Sequence, residues 1–116
     1  MDQATDELGR LVGSDPAVEE FVEQKLPILR RLWQPQHVIL FGSHSRGTAG
    51  KDSDIDLVVV SEKFDTVRWP NRAPAVLRAI YPRRSVDILC YTPEEFAQKR
   101  EEAGIVATAC AEGIWL

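Results

Sequence analysis

The chain has 116 residues, a size that predicts one domain with one modest core. Its 14 basic residues stand against 18 acidic ones, a net charge of −4, which argues against a general nucleic-acid backbone binder. Hydrophobic residues at 44% exclude wholesale disorder, and no run approaches the roughly 18 apolar residues of a membrane helix.

The N-terminus, Met1-Asp2-Gln3-Ala4-Thr5-Asp6-Glu7, is acidic and lacks the features of a secretory signal or transit peptide, so the expected location is the cytoplasm. Residues 1–13 are expected to be a flexible or partner-contacting segment of a single domain spanning 1–116. Cys90 and Cys110 are isolated in apolar surroundings and read as small buried hydrophobes.

In chain order, the first helix is predicted to open at Ser14 or Asp15. Either residue can cap, Pro16 suits the first helical position, and Glu19 and Glu20 suit the positive end of the dipole. Val18, Phe21, Val22 and Leu26 form its apolar stripe. Pro27 should kink or split it, with Ile28, Leu29 and Leu32 continuing to a stop at Pro35. Arg30 and Arg31 read as a solvated face first and a partner contact second.

Val38-Ile39-Leu40-Phe41 reads as a buried strand, Ile55 to Val60 as a β-branched second strand, and Val86 to Tyr91 as a third. Pro74 to Tyr81 reads as a helix bounded by Pro82. Thr92-Pro93-Glu94-Glu95 is a capping box that opens a helix to about Glu102. Ile105 to Ala111 is a last helical piece stopped at Gly113. The alternation predicts an α/β (α+β) domain with a small mixed sheet.

Three aspartates interrupt these apolar strands: Asp54, Asp56 and Asp87. Asp54 and Asp56 are two apart, so a strand points both to one face. Two such charges 4 Å apart repel by about 4 kcal/mol at an effective dielectric of 20. A divalent cation removes the conflict, and hard oxygen donors favour Mg²⁺ or Mn²⁺ over zinc. The plainer alternatives are a turn role for Asp54 and an ion pair of Asp87 with Arg83 or Arg84.

Gly42-Ser43-His44-Ser45-Arg46-Gly47 follows the first strand directly. Gly42 allows close backbone approach to a ligand. A short helix opening at Ser43 would direct free N–H groups and a hydroxyl at an anion. Arg46, three residues on, falls on the same side of a turn and offers a bidentate phosphate contact. A phosphate cradle ten residues ahead of a metal-binding Asp-x-Asp sets triphosphate beside metal, as phosphoryl and nucleotidyl transfer require.

Gly42-Ser43, ten intervening residues and Asp54-Ile55-Asp56 together resemble the signature of the DNA polymerase β-like nucleotidyltransferases. The fuller stretch, Phe41-Gly42-Ser43 with Arg46-Gly47 through Ser53-Asp54-Ile55-Asp56-Leu57, is similar to their minimal nucleotidyltransferase branch. Val86-Asp87-Ile88-Leu89 and Thr92 to Phe96 extend the likeness. The resemblance implies that Gly42 and Ser43 hold the terminal phosphates. It implies that Asp54, Asp56 and Asp87 ligate two Mg²⁺ ions, with ATP as substrate. Members of this branch are similar to antitoxins that transfer AMP to a tyrosine of a partner HEPN toxin, in a hetero-complex or a homo-oligomer. The competing readings are a non-catalytic antitoxin that covers its partner and an aminoglycoside-type small-molecule nucleotidyltransferase.

Other residues carry weaker expectations. His44 reads as either a phosphate contact or a solvent-exposed loop residue. His37 reads as a strand-edge residue. Ser45, Lys51 and Ser53 read as loop residues, with bracing of Asp54 as the alternative for Ser53. Trp69 sits in a stretch that is neither clearly helix nor strand, where it lines a base pocket, meets a partner or packs under a loop. Trp33 and Trp115 read as core or interface, and Arg83 and Arg84 as a solvated pair.

Overall fold

The computed structural model describes residues 15–116. Ser14, as a capping candidate, and the segment 1–13 lie outside them. Two short helices come first: α1 (Pro16–Gln24) and α2 (Leu26–Trp33). The Asp15 side chain accepts from the backbone N–H groups of Ala17 and Val18, which caps α1, and Pro16 fills the first helical position. The helix divides at Lys25, two residues before Pro27, which sits in the first turn of α2. Leu29 is fully buried, but Leu32 is exposed and leaves the expected stripe.

Strands β1 (His37–Phe41), β2 (Ile55–Val60) and β3 (Val86–Tyr91) follow the apolar runs. Between β1 and β2 lies the four-residue helix α3 (Ser43–Arg46). A 3₁₀ turn (Glu62–Thr66), started by the Ser61 hydroxyl, and α4 (Trp69–Ile80) connect β2 to β3. Helix α4 starts five residues earlier than expected. Pro70 is accepted in its first turn, and Pro74 sits on an exposed face. The capping box opens α5 (Pro93–Glu101) as expected: Thr92 and Glu95 exchange side-chain-to-backbone bonds of 3.2 and 2.8 Å. Helix α6 (Ile105–Glu112) ends at Gly113, and the chain returns as a two-residue strand, β4 (Ile114–Trp115).

The sheet order is β3-β2-β1-β4. β2 pairs antiparallel with β1 and parallel with β3, and β4 joins β1 antiparallel. Alternation of side chains divides the sheet into two faces. Leu40, Ile55, Leu57, Val59, Val86 and Ile88 face the larger core, closed by Phe21 and Leu29 of α1 and α2 and by Val76 and Ile80 of α4. Ile39, Val58, Val60 and Tyr91 face a smaller cluster closed by Phe96 of α5 and by Val106 and Ala109 of α6. The three aspartates carry the parity of this second face. Helices α5 and α6 pack over the end of it marked by Val60 and Tyr91, whereas at the other end Asp56 is half-buried and Asp87 is exposed among the described residues.

Trp33 stacks on Phe64 with ring centroids 5.0 Å apart, as a core reading requires. Trp115 is exposed at the sheet edge, in an aromatic group with His37 and Phe96. Arg30 donates to the Leu116 carbonyl at 2.7 Å and so helps hold the last strand. Cys90 is buried, Cys110 half-buried, and both are free thiols. No described helix is long and apolar enough to cross a membrane.

Candidate active site

The site forms where the end of β1 meets the beginnings of β2 and β3. In the register, Asp56 lies between Phe41 of β1 and Asp87 of β3. Asp56 and Asp87 therefore occupy adjacent strands, nominally about 4.8 Å apart. Asp54 lies two residues back, just before β2 begins. The Asp56 carboxyl is raised above its ordinary range, first by burial, then by the charges of Asp87 and Asp54. His44 and Arg46 pull it partly back down.

β1 hands the chain to Gly42, whose backbone (φ 77°, ψ −156°) lies in a region open only to glycine. A Cβ there would collide with Asp56 Oδ2 and come within 3.3 Å of Asp56 Cγ. The loop thus touches the central aspartate directly. Ser43 opens α3, and the Gly42 carbonyl accepts from the backbone N–H groups of Ser45 and Arg46 and from the Ser45 hydroxyl.

His44 is neither a phosphate contact nor a solvent-exposed loop residue. It is 7% exposed, with Nδ1 2.6 Å from Asp15 Oδ2 and Nε2 3.1 Å from the Ser53 carbonyl. Ser53 braces the turn ahead of Asp54: its hydroxyl accepts from Gly50 N–H at 2.8 Å, and its own N–H donates to Gly50 O. Arg46 is exposed and lines a cleft of about 600 Å³ with Lys51 and Arg84; Asp54, Asp56 and Asp87 do not line it. Arg84 also donates to the Lys51 carbonyl at 3.4 Å. Among the described residues neither Arg83 nor Arg84 pairs with Asp87, so the ion-pair reading of Asp87 fails.

Trp69 is not near this site. It opens α4, is 47% exposed, and stacks on Tyr91 at 5.0 Å. Tyr91 lies four residues along β3 from Asp87, about 13 Å away. That stacking contact matches the packing reading of Trp69.

Hard-oxygen donors suit Mg²⁺ or Mn²⁺, and the mutual repulsion of the carboxylates is the conflict a cation relieves. Among the described residues no three acidic, histidine or cysteine side chains converge into a ready-made metal cluster. A cation here needs further oxygens from its substrate, as Mg²⁺ sites on phosphates usually do.

The family model described as a nucleotidyltransferase domain matches residues 22–85, more than half of the chain. That span contains Gly42, Ser43, Asp54 and Asp56 and stops just short of Asp87, whose place beside them comes from the β2–β3 register. The mixed sheet and flanking helices fit the polymerase β-like fold of that family. A candidate nucleotidyltransferase from Sulfolobus solfataricus is 26% identical, over 84% of this chain and 81% of that one, with a TM-score of 0.44. BolA1 from Arabidopsis thaliana is 17% identical over 63% of this chain and 92% of that one, at a TM-score of 0.51, a likeness of fold alone. No curated protein matches.

Proposed function

From the premise that the chain belongs to the nucleotidyltransferase domain family, we propose that it transfers AMP from ATP to a hydroxyl, a tyrosine of a partner HEPN toxin, and so acts as an antitoxin. The observation that carries the reading is Asp56 beside Asp87 in the register, with Gly42 against the Asp56 carboxylate. One end of the sheet thus joins a glycine turn to a carboxylate pair.

Gly42 and Ser43 hold the terminal phosphates through backbone N–H groups and the Ser43 hydroxyl. Asp54, Asp56 and Asp87 supply the carboxylate oxygens for Mg²⁺ or Mn²⁺, which when bound neutralises the triphosphate and lowers the barrier to attack. Arg46, whose charge acts on Asp56, adds positive charge near the leaving pyrophosphate. The acceptor hydroxyl oxygen attacks the α-phosphorus. A phosphodiester bond to the acceptor forms as the bond to pyrophosphate breaks. Asp87, the exposed member of the trio, takes the acceptor's proton.

A protein acceptor is supported by the net charge of −4, which disfavours a nucleic-acid strand. It is supported too by the exposure of Asp87 among the described residues, which a partner's side chain can approach.

The test is to incubate the chain with α-³²P-labelled ATP, Mg²⁺ and a candidate HEPN-type helical protein. The partner should become labelled, and Asp54→Asn with Asp56→Asn should abolish the label. Sub-stoichiometric chain should neutralise excess partner. Labelling by the double variant, or a strict one-to-one requirement with full rescue by that variant, overturns the reading in favour of a non-catalytic binder.

A further inference from the structure

Two separate pieces of chain must keep a fixed spacing for the proposed reaction: the Gly42–Ser43 turn and the loop that delivers Asp54 and Asp56. Contact of Gly42 with Asp56 sets one side of that spacing. The other side is set by His44.

The His44 side chain is 3% exposed. Its Nδ1 faces Asp15 Oδ2, and its Nε2 faces the carbonyl of Ser53, the residue before Asp54. Asp15 divides its oxygens: Oδ1 caps α1 through Ala17 and Val18, and Oδ2 holds the imidazole. The loop from Thr48 to Ser53 otherwise rests on its own turn bonds and on exposed or main-chain contacts. Among the described residues, the His44 bond is a part-buried side-chain tie from this loop to the phosphate loop. Each ring nitrogen thus faces an oxygen, one on Asp15 and one on Ser53.

We infer that His44 is a positioning residue that clamps the phosphate loop, the start of α1 and the Asp54-bearing loop into one unit. The inference rests on the nucleotidyl-transfer reading above and adds a residue to it. Triphosphate contacts at Gly42 and Ser43 do not need the clamp, whereas alignment of the aspartates with the α-phosphorus does. Loss of His44 therefore falls on turnover more than on nucleotide affinity.

Arginine supplies donors in several directions and no acceptor, so it can serve both Asp15 and Ser53, whereas alanine serves neither. The experiment compares wild type, His44→Ala and His44→Arg in AMP transfer from MgATP to the partner. Amide hydrogen exchange of residues 48–56 is followed in parallel. His44→Ala is expected to lower kcat at least thirtyfold with less than a threefold change in KM for MgATP, and to accelerate exchange in 48–56. His44→Arg is expected to recover most of both. Should His44→Ala fail to fold, Asp15→Asn, which keeps a helix cap while removing the charged acceptor, is expected to lower kcat in the same direction. Unchanged kcat in a folded His44→Ala or Asp15→Asn protein overturns the inference, as does exchange in 48–56 that ignores the substitution. Absence of transfer by the wild type, with exchange changing as expected, would instead sink the nucleotidyl-transfer reading.

Discussion

Asp56 lies so close against Gly42 that the glycine has no room for a side chain. Both halves of the contact matter, because Gly42 also sits at φ 77° and ψ −156°, a backbone region that other residues enter at a cost of about 1–3 kcal/mol. Gly42→Ala must bear that strain and displace the Asp56 carboxylate. The expected result is a loss of about 1–3 kcal/mol of stability by denaturant unfolding. A fall in transfer rate of at least a hundredfold should accompany it under conditions where the variant stays folded. A variant that is destabilised but fully active would show that Asp56 need not stay where it is.

Asp56 is itself under electrostatic pressure. Its pKa is raised in the fold by burial and then by Asp87 and Asp54. A carboxyl raised on folding stabilises the protein only below its unfolded pKa, and that contribution is lost as pH rises through the folded value. At neutral pH without divalent cation, ionised Asp56 is therefore a burden on the native state. Asp56→Asn is expected to raise Tm in chelator by roughly 2–4 °C, the shift that about half a kcal/mol gives in a domain this small. Added Mg²⁺ or Mn²⁺ should raise the Tm of wild type and leave that of Asp56→Asn nearly unmoved. Equal cation stabilisation of both proteins by differential scanning fluorimetry would remove Asp56 from the ligand set.

Arg72 is a charged residue that the sequence does not flag, and the structure buries it at 6% exposure. Its guanidinium donates to Glu95 at 2.6 Å, to the Val67 carbonyl at 2.8 Å and to the Cys90 carbonyl at 3.2 Å, so it pins the 3₁₀ turn, β3 and α5 together. Arg72→Met is expected to cost about 2–3 kcal/mol, chiefly from carbonyls left without donors, since Glu95 is itself half-exposed and hydrated. The Glu95 carboxyl is held below its usual range, first by the hydrogen bond from Arg72. A carboxyl lowered on folding stabilises above its unfolded pKa, and that stability is lost as pH falls through the folded value. The gap between wild type and Arg72→Met should therefore narrow when unfolding is measured below the ordinary glutamate range.

What was legible in the sequence was what local rules decide. The caps at Asp15 and Thr92, the break ahead of Pro27 and the three long strands each follow from a few adjacent residues. The first turn of α4 was not legible, because Trp69-Pro70-Asn71-Arg72 holds weak helix formers and is held by Arg72's distant partners. β4 was not legible either: two residues become a strand only because Ile39 and Leu40 lie opposite them. In the site, the Asp-x-Asp spacing placed Asp54 and Asp56 together, but only the parallel register of β2 and β3 brings Asp87 alongside. Nothing in the spacing of His44 announces that it reaches back 29 residues to Asp15.

Burial pushes the Cys90 thiol up to about 12, against the charge of Arg72, which lowers it. The thiolate is the reactive form, so Cys90 should resist alkylation at pH 8 in the native protein. Cys110, half-buried on α6, should be modified first. Mass spectrometry after a timed iodoacetamide pulse reads the order directly. Cys90 modified as fast as Cys110 would mean that β3 opens locally.

Gly113 tests whether β4 matters to the fold. Its backbone angles, φ −77° and ψ 172°, suit any residue, so conformational strain is not at issue. Space is: a Cβ would lie 2.7 Å from Ile39 Cγ2 and 2.7 Å from the Leu40 carbonyl, and would collide with the Ala109 carbonyl. Two of those three obstacles are main chain and cannot swing aside. Gly113→Ala should therefore push the chain off β1 and break the Leu40–Ile114 and Ile39–Trp115 pairing. The expected cost is about 1–3 kcal/mol, in the overpacking range, together with faster amide exchange at Ile114 and Trp115. Gly50→Ala is the matched control, since its Cβ would meet only the Ser53 hydroxyl, at 3.8 Å. It should shift stability by less than about 0.5 kcal/mol. Equal stability of the two variants in urea would show that β4 packs loosely enough to give way.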